Sequence, residues 1–162
     1  MDTRTCALPA PKPVRDLLSE LLGRDVTVEI GEPVQCGPQH PAMVAVYVDD
    51  TLSIRALVAA DLLLSAHAGA AIGLLPKGGA EAAIEDGVLG QNLLENAREI
   101  FNIMASLFNQ PEAAHVRMYA DYAPATPLPD HVAVLAATLG QRLDLAVGIP
   151  GYGSGRLSLV VS

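Results

Sequence analysis

Glu95-Asn96-Ala97-Arg98-Glu99-Ile100-Phe101-Asn102-Ile103-Met104-Ala105-Ser106-Leu107-Phe108-Asn109 is the stretch on which the reading of this 162-residue chain turns. On a wheel advancing about 100° per residue, Leu93, Leu94, Ala97, Ile100, Phe101, Met104, Leu107 and Phe108 fall in one arc of roughly 140°. Such a stripe faces a core, so the helix must lie against another layer. Opposite it, Asn92, Glu95, Glu99, Asn102, Ser106 and Asn109 fill about 100° of the wheel, with Glu99 and Asn102 adjacent as an i, i+3 pair. A solvated helix face commonly carries Lys or Arg spaced to pair with its Glu. This one has no cation, and Arg98 lies at its edge. Asn is also a poor interior helix residue, because its amide competes for backbone hydrogen bonds. The plain alternative is a merely wetted surface; the missing cations and the three asparagines argue for a face selected for something else.

Working outward, Gly73 closes a preceding helix that Asp61 caps, and Ser65, Gly69 and Gly73 form a small-residue row that admits a close-packed neighbour. Pro76-Lys77-Gly78-Gly79 reads as a linker. A longer helical pattern then runs from about Glu81 to Asn109, with interruptions near Gly87 or Gly90. Before this region, Val14, Leu17, Leu18, Leu21 and Leu22 recur at helical spacing and stop at Gly23. Val26, Val28 and Ile30 alternate as a strand. Val44, Val46 and Val48, then Leu52, Ile54 and Ala56, flank Asp49-Asp50-Thr51 as a β-hairpin. After the helices, Val116, Met118 and Ala120 form a strand, and Asp130 caps a short helix through Ala137. Leu143, Leu145 and Val147 pair with Leu157, Leu159 and Val161 across a long loop, residues 148–155.

The whole chain, 51% hydrophobic and 17% charged, suits a single domain, residues 1–162, with a Pro-rich lead over residues 1–13. With no Trp and two Phe, its core is aliphatic. A formal net charge of −8 argues against nucleic acid, whose phosphates require clustered Lys and Arg, and favours a basic or metal-bearing protein surface as partner. Two cysteines, Cys6 and Cys36, make no disulfide framework, and no apolar signal segment precedes Pro9; both features suit the cytoplasm. Residues 56–75 have the length of a membrane span but contain Asp61, His67, Gly69 and Gly73. An Asp at a span centre costs about 2.5–3.5 kcal/mol, so the segment reads as buried in a soluble protein.

Other chemistry lacks a basis. Gly151-Tyr152-Gly153-Ser154-Gly155 joins two strands and opens no helix, as a phosphate-binding turn must. The four histidines are scattered, and Cys36 with His40 supplies only two metal ligands where three or four are normal, so no metal site of its own is expected. No Ser sits in a GxSxG elbow and no Cys has an evident His partner.

A carboxylate and an amide one turn apart cannot make an ordinary hydrolytic pair, because Asn neither titrates near neutrality nor takes a proton from water. Its amide can orient a water by donating and accepting hydrogen bonds. Orientation suffices when the substrate is already activated, as in phosphoryl transfer with a metal neutralising charge. Glu99-Ile100-Phe101-Asn102 resembles the ExxN motif of the CheC/CheX/FliY family of chemotaxis phosphatases. Gly69-Ala70-Ala71-Ile72-Gly73 ending the previous helix, the acidic Glu85-Asp86 before the motif helix, and strands flanking both extend the similarity from about Val14 to Val161. With one ExxN rather than two, the chain is more similar to CheX than to CheC. Residues 103–109 contain no glycine where CheX-like helices often do, and residues 124–138 have no counterpart in that pattern.

The resemblance implies an α+β fold with paired helices packed on an antiparallel sheet. It implies a phosphatase acting on the aspartyl phosphate of a CheY-like response regulator, with Asn102 orienting the water and Glu99 contacting the regulator's active-site lysine. No cofactor of its own is implied, since Mg2+ comes with the regulator. Glu95, Ser106 and Asn109 are the candidate partner contacts, and a homodimer is the other association to expect. The alternative reading is a catalytically silent CheC-like module for binding or dimerisation.

Overall fold

The computed structural model describes residues 6–162; residues 1–5, which carry part of the expected Pro-rich lead and the signal-segment reading, lie outside the described residues. The elements run α1 (Pro11–Leu22), β1 (Thr27–Ile30), β2 (Ala42–Val48), β3 (Ile54–Asp61), α2 (Leu62–Ile72), α3 (Lys77–Asp86) and α4 (Gln91–Met104). A 3₁₀ turn (Ala105–Leu107), β4 (Arg117–Tyr122), α5 (Asp130–Ala137), β5 (Arg142–Ile149) and β6 (Gly153–Val161) complete the chain. The strands form one sheet in the order β1-β5-β6-β3-β2-β4. Every neighbouring pair is antiparallel. This is the expected α+β architecture.

Both faces of the sheet are covered. Met43, Ala45 and Tyr47 of β2 join Val58, Leu145, Leu157 and Leu159 in the larger core beneath α1, α2 and α4. Val44 and Val46, pointing the other way, join Leu57, Val160 and the α5 residues Val132 and Ala136. All seven residues of β2 are buried, because α5 and the loop before β2 close the second face. The segment over residues 124–138, unmatched in the sequence pattern, is therefore the lid of a second apolar layer. An Arg142 guanidinium locks its end: Nη1 donates to the carbonyls of Ala136 and Thr138 at 3.0 and 2.7 Å, while the same side chain pairs with Asp144.

Local chemistry explains the boundaries. Gly23 takes the left-handed conformation after α1, and its N–H returns to the Ser19 carbonyl. Pro11 and Pro13 are not in a lead but in the first turn of α1, where a missing N–H leaves nothing unsatisfied. Asp61 caps α2, accepting from Leu64 N at 2.9 Å. The apolar run over residues 56–75 divides at that cap into a central strand and an almost wholly buried helix. No helix among the described residues is long and apolar enough to cross a membrane.

Several boundaries differ from expectation. Lys77, Gly78 and Gly79 are the first turn of α3 rather than a linker, because burial of Ala80 and Ala83 outweighs the poor propensity of glycine. The long helical pattern is interrupted where expected, dividing into α3 and α4 at residues 87–90 with Gly87 left-handed at φ 78°, but it stops at Met104 rather than Asn109. Asp130 lies inside the first turn of α5, and Pro129 holds the cap position. The long loop between β5 and β6 contracts to three residues, since pairing continues to Ile149↔Gly153 and the left-handed Gly151 turns the chain.

Candidate functional site

The α4 helix carries the candidate pair, and glycine determines how closely it lies on α2. A Cβ on Gly69 would sit 2.8 Å from the Leu93 carbonyl oxygen, and one on Gly73 would meet the Asn96 amide. The small-residue row thus does what its spacing promised. The contact is also tied, because Asn96 Nδ2 donates to the Gly69 carbonyl at 2.9 Å. Of the helix's apolar stripe, Leu93, Ala97, Ile100, Phe101 and Met104 are buried, and Leu94 is half-buried.

Glu99 and Asn102 stand on the opposite side, both exposed and one turn apart. Asn92, Glu95 and Ser106 are exposed with them. Glu95 accepts from Gln91 Nε2 at 3.1 Å across one turn, an ordinary surface contact. Asn109 leaves the group. The 100° wheel ends at Ala105, where the helix tightens to a 3₁₀ turn, and Asn109 is half-buried beyond it. Its Nδ2 donates to the Val116 carbonyl and its Oδ1 accepts from Val116 N at 2.7 Å, so the amide pins the approach to β4.

Two interactions that the sequence did not disclose fix the helix around the pair. Arg98, which the wheel placed at the edge of the polar arc, donates from Nε to Asp121 Oδ2 of β4 at 2.9 Å. The cation nearest Glu99 in sequence is thereby engaged elsewhere. On the buried side, the Tyr47 hydroxyl donates to the Phe101 carbonyl at 2.6 Å. Burial drives that phenol far above its ordinary pKa, so it remains a donor at any physiological pH. Arg98 at least carried a signal, the empty arc beside it; Tyr47 read only as one residue of a strand.

The site is a ridge. The cavity under α4, about 20 Å³ and bounded by Leu64, Ala68, Phe101 and Met104, is apolar and lies on the wrong side of the helix. Larger hollows of about 390 and 400 Å³ open beside Cys36 and Leu128 and beside His40 and Asp61. A small molecule normally requires a concave pocket around its reacting group; a projecting carboxylate and amide suit insertion into a partner's cleft. Among the described residues no group of three or more His, Cys, Asp or Glu is placed to hold a metal ion. His67 of α2 is buried against Gly153, where a Cβ would lie 2.5 Å from Nε2, so it acts as packing for the β6 crossing.

No family model and no curated protein sequence matches the chain. Solved structures do. The FliM of a FliM–SpeE complex from H. pylori superposes with a TM-score of 0.57 at 8% identity, over 93% of this chain and 80% of that one. A CheX–CheY–BeF3–Mg2+ complex from Borrelia burgdorferi gives 0.52 at 10% identity, over 90% of each chain. A chemotactic CheC-like protein from Shewanella oneidensis gives 0.50 at 11% identity, over 91% of each. The chain has the CheC/CheX/FliM-type fold.

Proposed function

We propose that this chain of CheC/CheX/FliM-type fold is a phosphatase for the aspartyl phosphate of a CheY-like response regulator. The observation that carries the reading is the exposed Glu99–Asn102 pair on the convex face of α4, with its neighbouring cation turned away to Asp121. The ridge enters the regulator's cleft. Asn102 there donates to and accepts from a water, aiming one lone pair at phosphorus. The water oxygen bonds to phosphorus as the bond to the aspartyl oxygen breaks, releasing inorganic phosphate and restoring the carboxylate. The water's protons leave on phosphate oxygens and solvent, so no base is required. Glu99 accepts from the regulator's lysine and holds the two proteins in register.

The donors on the ridge, Glu99 with Glu95 one turn back and otherwise amides and a hydroxyl, do not make a magnesium site. Mg2+ would come with the regulator; the similar CheX–CheY assembly contains BeF3 and Mg2+. An ion supplied with the regulator would neutralise charge on the phosphoryl oxygens.

The likeness to FliM from complexes with SpeE and with FliG, at TM-scores of 0.57 and 0.55, favours a second reading as a silent binding module. Incubating the chain with phosphorylated response regulators and following acyl-phosphate loss separates the two. Faster loss with at least one cognate regulator supports the phosphatase; binding with an unchanged phosphate half-life supports the module.

A further inference from the structure

Tyr47 occupies an unusual place in the sheet. Across to β3 its partner is Ala56, but Val48 next to it pairs with Ile54, so Arg55 is an extra residue. Across to β4, Val46 pairs with Ala120 and Tyr47 with Met118, so Tyr119 is extra as well. Both ladders therefore shift at Tyr47. A bulge bends the strand that carries the extra residue, so β3 and β4 both bend where they flank Tyr47. Tyr47 itself keeps the alternation of β2 and faces the larger core with Met43 and Ala45, with no exposed surface, its ring 5.4 Å from that of Phe108 and its hydroxyl 2.6 Å from the Phe101 carbonyl.

That carbonyl has lost its helical partner. In an α-helix the Phe101 oxygen accepts from the N–H of Ala105, four residues on. In this chain the Ala105 N–H bonds instead to the carbonyls of Asn102 and Ile103, because the backbone tightens to the 3₁₀ turn. A buried carbonyl left without a donor is costly, and the Tyr47 hydroxyl supplies one. The Phe101 carbonyl and the Asn102 N–H belong to one planar peptide unit. Holding the oxygen fixes the plane from which the Asn102 Cα departs, and with it the direction of the exposed amide.

We propose that Tyr47 is a positioning residue for Asn102: from inside the core, its hydroxyl sets the peptide plane that aims the water-orienting amide. The inference rests on the phosphatase reading. Tyr47 itself reaches no surface and touches no partner, so its effect falls on the chemical step rather than on binding.

The test compares wild type with Tyr47→Phe, Phe108→Leu and Asn102→Ala, using the full chain and a phosphorylated cognate regulator. Dephosphorylation is measured at saturating regulator, and Kd is measured with the beryllofluoride-activated regulator. Tyr47→Phe keeps the ring and is expected to lower the saturated rate about 10- to 100-fold with Kd unchanged. Phe108→Leu lowers Tm while keeping the hydroxyl, and the saturated rate is expected to hold. A wild-type rate in Tyr47→Phe, or an equal loss in Phe108→Leu, overturns the inference and leaves the phosphatase reading standing. An unaffected rate in Asn102→Ala overturns the phosphatase reading itself. Should Tyr47→Phe not fold, the wild-type protein still decides: a slowly exchanging Tyr47 hydroxyl proton with cross-peaks to the Phe101–Asn102 backbone is expected by NMR, and its absence is contrary.

Discussion

Asn102 is distinguished by what it cannot do. An amide has no proton to lose near neutrality, so catalysis through it has no ascending or descending pH limb of its own. The pH–rate profiles of wild type and of any partly active Asn102 variant are therefore expected to have the same shape, and a limb that disappears with Asn102 would contradict water orientation. Asp49 is the opposite case, a titrating group whose work is structural. Its Oδ1 accepts from Thr51 N, Thr51 Oγ1 and Ser53 N, and its Oδ2 from Arg55 Nε at 2.6 Å, closing the β2–β3 turn. These bonds, those of Thr51 and Arg55 foremost, hold its carboxyl well below the usual range near 3.8. The folded state thus resists protonation that the unfolded chain accepts, so stability is complete above the ordinary carboxylate range and declines as pH falls through and below it. Denaturant titrations should find Asp49→Asn less stable than wild type at pH 7, with a smaller further loss towards pH 3; parallel curves would show that the turn does not depend on the charge.

At the scale of elements, the distance between α2 and α4 is set by a missing side chain. Gly69→Val places branched atoms where even a Cβ lies 2.8 Å from the Leu93 carbonyl, and is expected to cost about 1–3 kcal/mol by overpacking. Thermal unfolding checks it; an unchanged Tm would mean that the helices separate freely. Gly155 repeats the device on the other side of α2, where its would-be Cβ falls 2.7 Å from Asp61 Oδ1. These crossings show what the sequence could disclose. Ser65, Gly69 and Gly73 announced a close neighbour through their spacing, and the one-sided stripe of α4 announced which face would be buried. The Gly151-to-Gly155 run read as a connection between two strands, and it is one, but its role as the floor under α2 depends on a contact across the fold. Spacing also could not show that β2 is covered on both faces, since α5 arrives from some eighty residues away. The same holds for Asn109, which left the polar arc when packing replaced α by 3₁₀ geometry, and for Tyr47, whose partner lies on another element.

For the molecule as a whole, a net charge of −8 and a ridge bearing Glu95 and Glu99 favour encounter with a basic cleft. Stopped-flow association with the cognate regulator is expected to slow steeply with added salt while dissociation changes little; a salt-independent on-rate would remove electrostatics from recognition. The fold alone does not choose between phosphatase and adaptor, because CheX, the CheC-like protein and FliM share it. The choice rests on whether one exposed amide acts on water. The most direct measurement is acyl-phosphate loss from a saturating cognate regulator with wild type and with Asn102→Ala, which preserves the helix. A loss of roughly 10²-fold, about 2.7 kcal/mol, with regulator binding intact is the result predicted for a water-orienting amide. Equal rates for the two proteins would contradict it.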